Sequence, residues 1–227
     1  MPQNSSPDAE QDPFSRSPAI IVFGGSFDPP HGGHAACLKA LSKQFPTSRI
    51  LVIPAAAPPP TGGVTKKPWL SFEDRLELCR LMVLDIGSPA TVEVSELEGE
   101  LSTPNYTVNT LEALLKVAPK SHSGSKLAIT MGADQFLAFE TWHRPDRIVE
   151  LADLILVPRN GDALPWPAGK ISQKARIWTL DVQTPLASST LIRTAIAKNN
   201  PIPKGWVTPK VFSRLQELIP KAIDALR

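Results

Sequence analysis

The chain has 227 residues, 42% of them hydrophobic, which suffices to bury a full core and fits one domain of α/β size better than two small ones. Lys plus Arg number 24 against 22 Asp plus Glu, and a net charge of +2 supplies no broad basic field for nucleic acid or an acidic membrane surface. Recognition of phosphate must therefore be local, and with no apolar run of about 18 residues nothing is expected to span a membrane.

Residues 1–18, MPQNSSPDAEQDPFSRSP, have no apolar stretch and are rich in Pro, Ser and acid, so they read as a disordered tail and not a signal peptide. A single domain is expected over 19–227. Short aliphatic or β-branched runs predict strands at 19–23, 49–53, 126–130 and 153–157, with further ones at 91–94 and 176–180. Between them, apolar residues at three- and four-residue spacing predict helices over 35–45, 72–84 and 108–117, followed by 189–198 and 209–218. Strands alternating with helices imply an α/β fold: a Rossmann-like, doubly wound parallel sheet with helices on both faces. The Pro-rich IPAAAPPPTGGVTKKPW and the later GDALPWPAGK read as functional loops at the sheet's edge. Cys37 and Cys79 lie in helical segments without a CxxC pair, which points to two buried free thiols and a cytoplasmic location.

In an open parallel sheet the first strand-to-helix turn is the favoured place for a phosphate, and GGSFDPPHGGH lies there. Gly24 and Gly25 allow a sharp turn and close approach, Ser26 offers a hydroxyl, and the helix starting near Gly33 presents unpaired N–H groups and a positive dipole end. His31 and His34 fall on about the same side, where imidazoles can donate to phosphate oxygens and, if protonated, neutralise charge. Taken alone they could equally be surface histidines in a Gly-Pro turn. No third ligand accompanies them at a metal-site spacing. The loop is neither a Walker A sequence nor GxGxxG.

Near the other end, TPLASSTLIRTAIAKNN places Ser188, Ser189 or Thr190 to cap a helix, with Arg193 one turn inside. Arginine's planar fork suits phosphate oxygens taken in pairs. A plain N-cap is the simpler reading of this stretch by itself. Together with the first motif it suggests two helix N-termini converging on one polyphosphate.

GGSFDPPHGGH resembles the first signature of the nucleotidyltransferase α/β-phosphodiesterase superfamily, and SSTLIR resembles its partner. Within that superfamily the chain is most similar to bacterial nicotinate (nicotinamide) mononucleotide adenylyltransferases, through PNYTVNTLEAL, GADQFLAFETWHRPDRIVELADLILVPR and VIPAAAPPP. The resemblance implies transfer of the adenylyl group of ATP to nicotinate mononucleotide, giving nicotinate adenine dinucleotide and pyrophosphate in NAD biosynthesis, with nicotinate versus nicotinamide left open. It implies that His34, His31 and Arg193 are catalytic, and that Gly25, Ser26, Phe27, Gly132, Asp134, Ser188, Ser189, Lys66 and Lys67 bind ATP. Asp134 could alternatively cap a helix. Tyr106, Thr107 and Trp142 would hold the pyridine nucleotide, the indole stacking on the ring, although Trp142 by itself would also suit a core. Mg²⁺ would ride on the triphosphate. ATP and a pyridine mononucleotide are the expected partners, without nucleic acid or membrane; the oligomeric state, a homo-oligomer included, stays open.

Three positions depart from the family pattern: TGGV, then Lys66 and Lys67, replaces a His-Lys pair; Ala187 replaces a branched residue before SST; Asn109 stands where Asp is usual. The rivals are pantetheine-phosphate adenylyltransferase, which shares both motifs, and a non-catalytic nucleotide-binding sensor of the same fold.

Overall fold

The computed structural model describes residues 17–59, 67–89, 91–117, 127–158 and 169–224. Six strands, β1 (Ile20–Gly25), β2 (Arg49–Pro54), β3 (Val92–Val94), β4 (Leu127–Gly132), β5 (Ala152–Val157) and β6 (Ile177–Thr179), form one sheet. Their order is β3-β2-β1-β4-β5-β6 and every pairing is parallel. All six strands and all five helices expected from periodicity are present, with ends shifted by a few residues. The largest shift is in the last helix, which continues through Pro220 to Asp224.

Both faces of the sheet are covered, and alternate residues of each strand serve opposite cores. Ile21, Phe23, Ile50 and Val52 enter one core with α1 (Gly32–Gln44), α2 (Phe72–Asp85), α7 (Ser189–Ala197) and α8 (Pro209–Asp224). Ile20, Val22, Leu51 and Ile53 enter the other, beneath α4 (Thr107–Val117) and α6 (Pro145–Leu151). The reading of the thiols holds: Cys37 and Cys79 are buried and unbridged, and burial pushes the Cys37 thiol up to about 12. No described helix is long and apolar enough to cross a membrane.

Helix ends follow local chemistry. Ser71 caps α2, its hydroxyl accepting from the Asp74 N–H at 3.1 Å, and Glu73 and Asp74 sit against the positive end of the helix dipole. The short α3 (Leu97–Glu100), α5 (Ala133–Leu137) and α6 are additions to the expected set; each falls short of two full turns, about 7.2 residues, so no apolar repeat is displayed. Residues 1–16 of the expected tail, and most of the second Pro-rich loop, lie outside the described residues. Pro18 is buried, and its carbonyl accepts from the Ser48 hydroxyl at 2.6 Å.

β1 pairs with β2 on one side and β4 on the other, so the chain winds in opposite directions from β1. The crevice at the carboxyl ends of β1 and β4 is therefore a topological switch point, the place where open α/β sheets bind ligands.

Candidate active site

β1 ends in Gly24 and Gly25, and an added Cβ at Gly24 would meet nothing within 4 Å, leaving the backbone open to close approach. The residue that takes the left-handed turn is not a glycine, as expected from the sequence, but Phe27, with φ of 48°. A bulky side chain in that region costs about 1–3 kcal/mol. The surroundings hold it there: the Phe27 ring is 1% exposed, 5.6 Å from Phe23 and 4.7 Å from the His34 imidazole. Its side chain is thus part of the floor, and any contact with a nucleotide goes through its main chain. Ser26 is exposed beside it.

The two histidines form the start of α1. The His31 N–H donates to Nδ1 of His34 at 3.1 Å, and the Gly33 N–H donates to Nδ1 of His31 at 3.1 Å, a reciprocal capping box built from imidazoles. Their rings stack with centroids 3.7 Å apart. Gly33 is needed for this, because a Cβ there would lie 3.0 Å from the His31 ring. With each Nδ1 accepting, each neutral ring carries its proton on Nε2 and presents an N–H donor. Burial, and then the neighbouring His31, hold the His34 pKa well below its ordinary value of 6.5. At neutral pH His34 is a dipolar donor and not a cation, which narrows the expectation drawn from the sequence.

A consequence for stability follows. The unfolded chain takes up a proton near pH 6.5 that folded His34 resists. Stability contributed by neutral His34 is therefore complete above that value and is lost as pH falls toward the lower folded pKa. The urea midpoint of the protein is expected to drop between pH 7.5 and pH 5.5, and to drop less in His34→Gln. Equal slopes in the two proteins would assign the acid sensitivity elsewhere.

The second motif is clasped to the first. Ser188 is the N-cap of α7, its hydroxyl accepting from the Leu191 N–H at 3.2 Å. The Ser189 hydroxyl donates to the Pro29 carbonyl at 2.9 Å. Arg193, 34% exposed, donates through Nη1 to the Asp28 carbonyl and through Nη2 to Thr190 Oγ1, and lies 3.6 Å from the Asp28 carboxylate. Both helix N-termini are thereby brought together. The Ser189 hydroxyl directs its proton to Pro29 and helps build the site, whereas the Ser188 hydroxyl, accepting from Leu191, keeps its own proton to donate.

Two buried charges organise this loop, and the sequence reading passed over both. The Asp28 carboxylate accepts from the Trp69 N–H at 2.7 Å and the Leu70 N–H at 2.9 Å. Arg75, 1% exposed, donates to the carbonyls of Ser26 at 2.8 Å, Ala55 at 2.7 Å and Leu70 at 3.4 Å. One signal was available: Arg75 opens an apolar i, i+3, i+4, i+7 stripe with Leu78, Cys79 and Met82, where a solvated arginine is out of place.

On the other side of the switch point Gly132 ends β4 and caps α5, its N–H donating to Gln135 Oε1 at 3.1 Å. Asp134 is exposed in the first turn of α5, and is not the cap. Further along, the Tyr106 ring lies against His143, tilted, with centroids 4.2 Å apart, and half-buried Trp142 packs on Phe139. His143 had not been singled out. Thr107 begins α4. This aromatic group is connected to the phosphate loop by main chain: the Ala55 N–H donates to Gly25, and Asn105 exchanges bonds with both polar groups of Ala57. Lys67 is exposed, and Lys66 lies outside the described residues.

A sequence model of the family described as cytidylyltransferase-like matches residues 22–195, from the middle of β1 to the body of α7. The probable nicotinate-nucleotide adenylyltransferase of Solibacter usitatus is 36% identical over 186 residues, covering 82% of this chain and 90% of that one. The chain belongs to the cytidylyltransferase-like family, on its nicotinate-nucleotide adenylyltransferase branch. A second member, the probable nicotinate-nucleotide adenylyltransferase of Exiguobacterium sibiricum, is 31% identical over 87% of this chain and 95% of its own. Among solved structures, Plasmodium falciparum nicotinic acid mononucleotide adenylyltransferase complexed with NaAD superposes with a TM-score of 0.66. It covers 87% of this chain and 94% of that chain at 17% identity, so the likeness carries the fold alone.

Proposed function

We propose that this family member transfers the adenylyl group of ATP to nicotinate mononucleotide, forming nicotinate adenine dinucleotide and pyrophosphate in NAD biosynthesis. The observation that carries the reading is the clasp of Ser189 and Arg193 onto Pro29 and Asp28, which joins two helix N-termini at the switch point of the sheet. A 5′-phosphate oxygen of the mononucleotide attacks the α-phosphorus of ATP, and the bond from that phosphorus to the oxygen bridging the β-phosphate breaks. The electron pair leaves with pyrophosphate. The nucleophile is already an anion, so no general base is needed; the protein's task is to align two charged molecules and stabilise the charge of transfer.

His34 donates from Nε2 to the α-phosphate as negative charge shifts, and His31 and Arg193 grip the phosphates that leave. The outer face of the Gly25–Ser26–Phe27 backbone lies along the triphosphate. Gly132 and Asp134, across the crevice on α5, meet the adenosine ribose. Trp142 and Tyr106 flank the pyridine ring, with Thr107 at the start of α4 near its carboxylate. Magnesium enters as the complex with ATP; no three His, Cys, Asp or Glu side chains group among the described residues, a donor set that fits arrival with the nucleotide. Lys67 remains the described candidate to replace the absent His-Lys pair, and the domain acts as one unit over 19–227.

The test is pyrophosphate release by the purified protein with Mg-ATP and, in separate reactions, nicotinate mononucleotide, nicotinamide mononucleotide or phosphopantetheine. Release with nicotinate mononucleotide in clear excess over the other two is expected. A preference for phosphopantetheine would reassign the substrate, and ATP binding without release in any reaction would leave a nucleotide sensor.

A further inference from the structure

Arg75 takes no part in the reaction just described, yet it is a fully buried charge directly under the phosphate loop. Its guanidinium draws together three main-chain carbonyls from three different places: the loop after β1, the end of β2, and the segment that leads into α2. No carboxylate is hydrogen-bonded to it among the described contacts. A methionine would suit this apolar stripe of α2, yet the position holds a positive charge whose described hydrogen bonds all go to peptide carbonyls.

That effect is specific. In a trans peptide the C=O and N–H point in opposite directions. When the Ser26 carbonyl is drawn down to Arg75, the N–H of Phe27 must point the other way, toward the side of the loop where Ser26 is exposed. The left-handed φ of Phe27 fits the same picture, since the turn is held by its buried ring on one side and by the Ser26 carbonyl on the other. Asp28 completes the arrangement by holding Trp69 and Leu70 through their N–H groups while Arg75 holds the Leu70 carbonyl.

We infer that Arg75 is a positioning residue for the nucleotide: by holding the Ser26 carbonyl inward it aims the Phe27 N–H at the phosphates and removes a carbonyl dipole that would repel them. The inference rests on the adenylyltransferase reading for the identity of the anion, a nucleoside triphosphate. It assigns Arg75 no direct contact with the ligand.

The experiment uses the full chain labelled with ¹⁵N and titrated with Mg-ATP, with pyrophosphate release measured in parallel. In the wild type the Phe27 amide resonance is expected to move on saturation. If it does not move while Mg-ATP binds, the inference is overturned without recourse to any variant. Arg75→Lys keeps the charge but lacks the fork needed to span three carbonyls. Provided its spectrum is folded, it should bind Mg-ATP at least about tenfold more weakly, with loss of the Phe27 shift and little change in KM for nicotinate mononucleotide. A folded Arg75→Lys that binds Mg-ATP as the wild type does, or shows the same Phe27 shift, would overturn it. A merely structural role would weaken both substrates together. Wild-type protein that binds Mg-ATP with the Phe27 shift but releases no pyrophosphate would sink the enzymatic reading and leave the role of Arg75 intact.

Discussion

His34→Ala is expected to lower kcat by about 10²–10³ while changing the affinity for Mg-ATP by less than about tenfold. The reasoning starts from the tautomer. Nδ1 of His34 is occupied by the His31 N–H, and burial keeps the ring neutral, so its one strong donor is Nε2–H. A donor of fixed orientation in a partly desolvated site acts where charge develops, and its loss is felt in the transition state more than in the ground state. Alanine also deletes half of the capping box, which costs about 1 kcal/mol. His34→Gln separates the two effects, because glutamine at the third helical position can accept from the cap residue's N–H. Stability should then recover while turnover stays low. Turnover within threefold of wild type in His34→Ala, measured by single-turnover pyrophosphate release, would remove His34 from catalysis.

The second large effect is expected at Arg193. Arg193→Ala should reduce kcat/KM by about 10³, in line with the loss of a guanidinium from phosphoryl transfer. Arg193→Lys should recover less than a tenth of that loss, since an ammonium cannot hold the Asp28 carbonyl and Thr190 while also offering a paired grip on phosphate. Steady-state kinetics with both substrates varied decide it. A lysine variant as active as the wild type would mean that a point charge is enough and that the fork is incidental.

The sheet was legible because each parallel strand is a short aliphatic run shielded on both faces, and such runs do not depend on distant context. The helices with two or more turns were legible for the same reason, through their periodicity. α5 and α6 were not, because five and seven residues fix too few apolar positions to display a period. In the site, the sequence motifs located His31, His34, Ser188, Ser189 and Arg193 correctly at two helix starts. What the motifs did not reveal was the use of each polar atom. Nothing in GGSFDPP says that Asp28 will accept from a loop 41 and 42 residues away, or that Phe27 and not a glycine will adopt positive φ. Such assignments depend on which main-chain groups the fold leaves unsatisfied, and that is known only once the strands are in place.

The clasp between the two motifs has a bearing on how the protein comes into being. Ser189 and Arg193 meet their partners across 160 and 165 residues of chain. A nascent polypeptide that has emerged only through β5 possesses the phosphate loop and both histidines but lacks the residues that secure them from the carboxyl side. Contacts of such long sequence separation form late, after shorter loops have closed. Nucleotide therefore selects for finished molecules: it can stabilise by mass action only a chain whose synthesis has passed α7.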